Sequence, residues 1–247
     1  MINEFLYGLS YPFKTMKLFF KNPKILLLSV VPLILNFLIY GTIFYLAVVY
    51  LHDHILLLSE SVFGSGGAFH FIINYLLFIA TFFVVLFVCY LLFVIAGGLL
   101  CAPFNEAISQ RVEKIKSGSL ISSSKGFLSD VFSSIKSEVL KLSLLFSITV
   151  PLFLLGLLPF VGFIFAGAAT IFSMLYNTLD FIDYPLARRN TGLKQKIKLV
   201  LSNKPLSLGF GATAFLITFL PGINIVLRPM LVVAGTSLYF DRFSQTV

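Results

Sequence analysis

LSLGFGATAFLITFLPGINIVLRPMLVVAGTSLYF, Leu206 to Phe240, is an apolar stretch interrupted near its middle by Pro221-Gly222. The piece before the break is about 15 residues and the piece after it about 18, whereas a helix crossing about 30 Å of hydrocarbon needs roughly 20 apolar residues. LSLLFSITVPLFLLGLLPFVGFIFAGAATIFSMLYNTL, Leu142 to Leu179, has the same design, with its break at Pro159. Lys and Arg flank both stretches at both ends, and basic residues favour the cytoplasmic side. Both stretches are therefore expected to be hemi-penetrating hairpins that enter the bilayer, turn within it and leave on the same side. Broken helices persist at membrane depth only where the freed backbone is buried in protein or faces a wet cavity. That points to a pore or a transporter.

The rest of the composition agrees. With 58% hydrophobic and 11% charged residues over 247 positions and a mean hydropathy of +1.00, the chain is far more apolar than a soluble domain, whose charged fraction is about 25%. It reads as one integral membrane domain over 1–247, all-α. The net charge of +8 lies beside apolar runs, where the positive-inside rule accounts for it without a nucleic-acid partner. Cys89 and Cys101 lie in one apolar run and have no metal-ligand spacing. No phosphate loop, nucleophile elbow, zinc-protease motif or dinucleotide fingerprint is present, so no enzyme activity, cofactor or metal is expected.

Ahead of the hairpins the pattern is simpler. Residues 1–22 place Phe5, Leu6, Leu9, Phe13, Met16 and Phe20 among Lys14, Lys17 and Lys21, as in an amphipathic helix lying on the membrane. No small-residue cleavage site follows the first apolar run, so this segment is expected to be retained. Span one is expected over 25–51 and span two over 71–104, the latter continuing as one helix toward Lys116. The loop between them, His52 to His70, holds Asp53, Glu60 and Gly64-Ser65-Gly66-Gly67 but no Lys or Arg, and is expected to face outward. A Ser-rich turn at Ser117 to Ser124 precedes a second amphipathic helix, Phe127 to Lys141, which feeds the first hairpin. Gly162, Ala166 and Thr170 form a small-residue stripe suited to close helix approach.

Three groups of polar residues are candidates for function. Asn22-Pro23-Lys24 opens span one, with Lys21 beside it: a helix start presents unpaired N–H groups and partial positive charge, which suits an anion. The same residues also fit an ordinary capped helix whose lysines anchor at the headgroups. Arg228 lies inside an apolar stretch, either over a wet cavity or snorkelling to the headgroups. Asn105, Glu106, Arg111 and Glu113 leave span two. Glu106 and Arg111 are spaced to seek partners elsewhere, while Asp180 and Asp183 share a helix face after the first hairpin. A polar vestibule in which these acids meet Arg111 or Arg188 competes with plain surface ion pairing. The candidate pore or vestibule residues are Asn105, Glu106, Arg111, Asp183 and Arg228.

Ala102-Pro103-Phe104-Asn105 at the end of span two, Asp183-Tyr184-Pro185 after the first hairpin, Phe210-Gly211-Ala212, Leu220-Pro221 and Ala234-Gly235-Thr236 together resemble the CysZ sulfate permeases, a superfamily shared with the etoposide-induced membrane proteins. The resemblance covers nearly the whole chain. It implies two full spans plus two hemi-penetrating hairpins, a homo-oligomer in the bilayer of the bacterial inner membrane, and transport of sulfate or a similar inorganic anion for assimilation into cysteine, without direct ATP hydrolysis. It also implies an anion site at the start of span one, where Asn22-Pro23-Lys24 stands in place of a short basic motif and carries Lys rather than Arg. A non-transporting membrane scaffold of the same superfamily is the alternative.

Overall fold

A computed structural model describes residues 1–63, 68–118, 127–189, 191–220 and 223–244. The turn expected at Gly64 to Gly67, most of the Ser-rich segment and the Pro221-Gly222 break lie outside the described residues. The described residues form α1 (Ile2–Lys21), α2 (Pro23–Phe63), α3 (Ala68–Ser117), α4 (Phe127–Gly156), α5 (Gly162–Arg188), α6 (Leu193–Ser202), α7 (Lys204–Phe219), α8 (Ile223–Leu238) and a π-helical turn, Tyr239–Phe243. No strand occurs among them. Four helical segments are long and apolar enough to cross a membrane: Pro23–Leu57, His70–Ser117, Val139–Gly156 and Gly162–Arg188.

The chain divides into two compact units, residues 32–100 and the remainder. In the smaller unit, large aromatic rings fill the space between α2 and α3. Tyr40 meets Phe93 edge-on at 5.2 Å, and Phe44 meets Phe82 at 5.4 Å. The outward sides carry exposed Phe37, Tyr45, Phe71, Phe83 and Phe87, which suits surfaces that face lipid. Helix α2 continues beyond Leu51 to Phe63, and α3 starts at Ala68. The expected loop from His52 to His70 is therefore largely helical, because its few polar side chains do not interrupt the helix ladder.

In the larger unit, α1 lies against α7 and α8. Its inward face is Gly8, Tyr11, Pro12, Thr15 and Phe19, while Leu6, Phe13 and Phe20 recur seven apart on the exposed side. The apolar periodicity of α1 thus serves two neighbours. Between helices surrounded by lipid there is little hydrophobic driving force, so close approach and polar bonds have to hold them. A Cβ on Gly8 would strike the Leu206 carbonyl oxygen, and one on Gly209 the Phe5 carbonyl oxygen. Gly211 abuts Met174 and Gly235 abuts Phe181 in the same way. Threonines supply the bonds: Thr213 Oγ1 donates to the Leu9 carbonyl at 2.7 Å and Thr178 Oγ1 to the Ser207 carbonyl at 2.6 Å. The Gly162, Ala166 and Thr170 stripe is not used in this way. Gly162 packs on Gly156, but Ala166 and Thr170 are exposed.

The first hairpin turns at 157–161. Local bonds serve four of the amides there: Leu157 donates to Leu154, Leu158 to Leu155, Val161 to Pro159 and Gly162 to Leu158. Phe160, in the left-handed region at φ 68, projects from the tip at 94% exposure. Pro151, inside α4, does not end the helix. The arms are longer than the apolar count suggests, because α4 begins at Phe127 and α5 runs to Arg188. Val139–Gly156 of α4 and α5 are each long and apolar enough to cross a membrane by length and composition. In the second hairpin, α7 and α8 have 16 residues each, about 24 Å apiece, short of the hydrocarbon thickness.

The glycine contacts predict a contrast. Gly209→Ala should lower the stability of the purified protein by about 1–3 kcal/mol through overpacking, whereas Gly167→Ala, with open space around it, should leave it unchanged or raise it by about 0.5–1 kcal/mol. Thermal unfolding in detergent separates the two.

Candidate functional site

Within the larger unit, the ends of α3 and α5 bring acids and bases together away from solvent. Glu106, Ser109 and Glu113 lie at helical spacing on α3, and Arg188 reaches all three from the last turn of α5. Its Nη1 is 2.5 Å from Glu106, its Nε donates to Glu113 at 2.8 Å, and its Nη2 donates to the Ser109 hydroxyl at 3.0 Å. Arg189 takes the other Glu113 oxygen at 2.7 Å. The Thr236 hydroxyl of α8 donates to Ser109 at 2.9 Å, which ties the third helix in. The Glu113 side chain is 1% exposed. A carboxylate so placed stays ionised only when paired, and the planar guanidinium fork fits that role.

One turn back on α5, Asp180 and Asp183 share a face as their spacing requires. Lys141 of α4 lies 2.6 Å from Asp180 and 3.9 Å from Asp183. Lys196 of α6 pairs with Asp183 at 2.5 Å. Arg228 of α8 reaches Asp180 at 3.1 Å and lies over the Phe181 ring at 5.7 Å. Both sequence readings of Arg228, wet cavity and snorkelling, gain a third term: it is paired inside the protein. The acids do not meet Arg111, and Arg188 serves Glu106 and Glu113 rather than the aspartates. The expected meeting of acids with Arg188 therefore holds for Glu106 and Glu113 and not for the aspartates, because α5 turns Arg188 toward α3 and the aspartates toward α4, α6 and α8. The acids are buried, so surface ion pairing does not describe them.

The end of α3 also carries buried donors. Asn105 Nδ2 and Arg111 Nε are buried without a hydrogen-bond partner among the described residues. Four acids, Glu106, Glu113, Asp180 and Asp183, meet five bases, Lys141, Arg188, Arg189, Lys196 and Arg228, so the cluster as a whole favours negative charge.

The start of α2 is different in kind. Lys21, Pro23 and Lys24 are exposed, and neither lysine forms an ion pair among the described residues. Asn22 bends the chain at φ −112, ψ 97. Its carbonyl accepts from Ile25 and Leu26 at 3.0 and 3.2 Å, while its side-chain amide donates back to the Leu18 carbonyl at 2.7 Å. Asn22 therefore closes α1 with its side chain and starts α2 with its backbone. Pro23 has no N–H to satisfy, and the Lys24 amide faces the helix start, where partial positive charge collects.

Residues 11–229 match the family described as Sulfate transporter CysZ/Etoposide-induced protein 2.4. The chain belongs to that family. Among its relatives is a Sulfate transporter CysZ from Pectobacterium atrosepticum, 27% identical over 87% of this chain and 78% of the relative. Proteins of the same name from Pseudomonas fluorescens are 23% identical over 90% of this chain and 88% of the relative (strain Pf0-1), and 28% identical over 61% of each chain (strain Pf-5). Family membership and the four long apolar helices together make this an integral membrane protein of a transporter family.

Sequence reasoning overlooked Lys141, Arg189, Lys196, Ser109 and Thr236. Lys141 and Lys196 look like ordinary flanking charge until Asp180 and Asp183, three apart at the end of an apolar run, are seen to need two cations.

Removing one partner of a buried pair strands the other charge. Arg188→Met should therefore destabilise the protein by about 3–5 kcal/mol, read as a large fall in Tm, whereas exposed Lys21→Met should leave Tm unchanged.

Proposed function

We propose that the protein is a permease for sulfate or a related oxyanion in the bacterial inner membrane, supplying sulfate for assimilation into cysteine without direct ATP hydrolysis. The observation that carries this reading is the family match across residues 11–229, to which the relatives named sulfate transporters add the anion. The chemistry of the chain supports it. Sulfate only accepts hydrogen bonds, and the start of α2 offers donors: the Lys24 amide, Lys24 Nζ and, beside it, Lys21. An ammonium is a strongly hydrated point charge without the fork of Arg, which suits brief capture at an exposed mouth.

Farther along, Asn105 Nδ2 and Arg111 Nε are donors held ready in a buried setting, beside a cluster with more bases than acids. A pore or vestibule built from Asn105, Glu106, Arg111, Asp183 and Arg228 would stabilise a passing anion by its donors, while the paired acids keep the cations from binding it too tightly. The two hairpins, in a homo-oligomer, would wall the path. The local backbone bonds of Leu157, Leu158, Val161 and Gly162 suit a turn immersed in lipid, where each unpaired backbone group is costly. The short arms of the second hairpin suit one that penetrates without crossing, and α1 suits the membrane interface, with Leu6, Phe13 and Phe20 toward lipid. The N-terminus and basic segments would lie on the cytoplasmic side.

Reconstituted in liposomes, the protein should pass radiolabelled sulfate, with sulfite or thiosulfate competing. A protein that passes none of the three would be a membrane scaffold instead. Lys24→Ala should weaken the apparent affinity for sulfate about fivefold, the effect of losing one charged contact of about 1 kcal/mol. An unchanged affinity would move capture elsewhere and leave transport standing.

A further inference from the structure

A second polar feature of the larger unit lies apart from the buried charges. Glu4 of α1, Ser202, Asn203, Pro205 and Leu206 at the junction of α6 and α7, and Arg242 of the π-helical turn line a cavity of about 220 Å³ that is open to the surface. Two of its lining side chains carry opposite charge. Glu4 and Arg242 pair at 3.6 Å with side chains 46% and 40% exposed, so solvent screens this pair far more than the buried ones. Arg242 is held from another direction: its guanidinium lies 4.4 Å from the centre of the Tyr7 ring. The neighbouring acid is already occupied, since Asp241 accepts from the Tyr11 hydroxyl at 2.5 Å and from Lys116 at 2.9 Å. Burial, together with that bond to Asp241, pushes the Tyr11 phenol up, so it stays protonated and keeps donating. The π-helical turn is thereby fixed and Arg242 is left facing the cavity.

The floor adds directional groups. Asn203 spends its amide N–H on the Leu199 carbonyl and the Ser202 hydroxyl, which leaves its Oδ1 as an acceptor. Helix α7 begins here with no side-chain cap; Pro205 brings no N–H and Ser207 donates to the Asn203 carbonyl, which leaves the Lys204 and Leu206 N–H groups as the first-turn donors. Arg242 therefore suits an anionic oxygen group and Glu4, next to it, an ammonium. Beside it in the chain are exposed apolar side chains, Ile2 and Leu6 of α1 and Leu201 of α6, which call for an acyl neighbour rather than water.

We propose that this cavity holds the headgroup of an aminophospholipid, its phosphate against Arg242 and the start of α7 and its primary ammonium against Glu4. A primary ammonium donates hydrogen bonds to Glu4 and to Asn203 Oδ1. A quaternary choline cannot donate them, and a glycerol headgroup brings no cation to Glu4. Lipid bound here would join α1, α7 and the C-terminal turn at the membrane surface, independently of any anion flux.

Native mass spectrometry of the purified full chain, titrated with phosphatidylethanolamine, phosphatidylcholine or phosphatidylglycerol, tests this, with soluble phosphoethanolamine as a separate arm. Wild-type protein should retain phosphatidylethanolamine about fivefold better than either other lipid, as one charge-assisted contact implies. Glu4→Gln should reduce it to the phosphatidylcholine level. Arg242→Gln should weaken it comparably, and Glu4→Gln, a neutral isostere at a half-exposed site, keeps the test decisive if Arg242→Gln alters the C-terminal turn. Equal retention of the three lipids, a preference for phosphatidylglycerol, or indifference to Glu4→Gln would overturn the assignment. Soluble phosphoethanolamine that binds as well as the lipid and displaces it would assign the cavity to a free metabolite and overturn the lipid.

Discussion

Glu113 is almost wholly enclosed, and an enclosed carboxylate persists only where other helices bring cations to it. Arg188 and Arg189 do so from the end of α5, and Arg188 also reaches Glu106 and Ser109. That single requirement sets the rotation of α5 against α3. Once α5 is so turned, Asp180 and Asp183 point the other way and need cations of their own, which Lys141, Lys196 and Arg228 supply from three further helices. The cluster ties α3, α4, α5, α6 and α8 into one unit.

Apolar burial alone would not specify that arrangement. A leucine facing lipid is nearly as well placed as a leucine facing another helix, so helix pairs in this setting depend on close approach and on polar bonds between helices. Gly8 against Leu206, Gly209 against Phe5, Gly211 against Met174 and Gly235 against Phe181 bring backbones together. Thr178 and Thr213 then bond the carbonyls those approaches expose. The smaller unit uses the opposite means, wide spacing filled by aromatic rings.

Much of the candidate site was legible in the sequence as a set of residues, and little of it as a set of contacts. Glu106, Glu113, Asp180, Asp183, Arg188 and Arg228 stand out because charge is rare in an apolar chain. Their pairing did not follow, since α3 and α5 are brought together by approaches dozens of residues apart. Asn22 shows the same limit at short range. Its type and place mark a helix boundary, yet whether its amide caps the helix ahead or the one behind depends on the bend at that residue. The small-residue stripe on α5 was equally visible, but Ala166 and Thr170 face outward, while glycines scattered through α1, α7 and α8 make the close contacts.

By itself the sequence determined that the chain is helical, that it belongs in a membrane, and which segments form its long helices. Those properties depend on hydropathy summed over a window and on local helix chemistry, and both are written into consecutive residues. The partners of each buried charge and the cavity between Glu4 and Arg242 were decided only by tertiary structure. Each of these depends on the relative rotation of helices far apart in the chain, and rotation is set by a few glycine approaches and ion pairs that no local window contains.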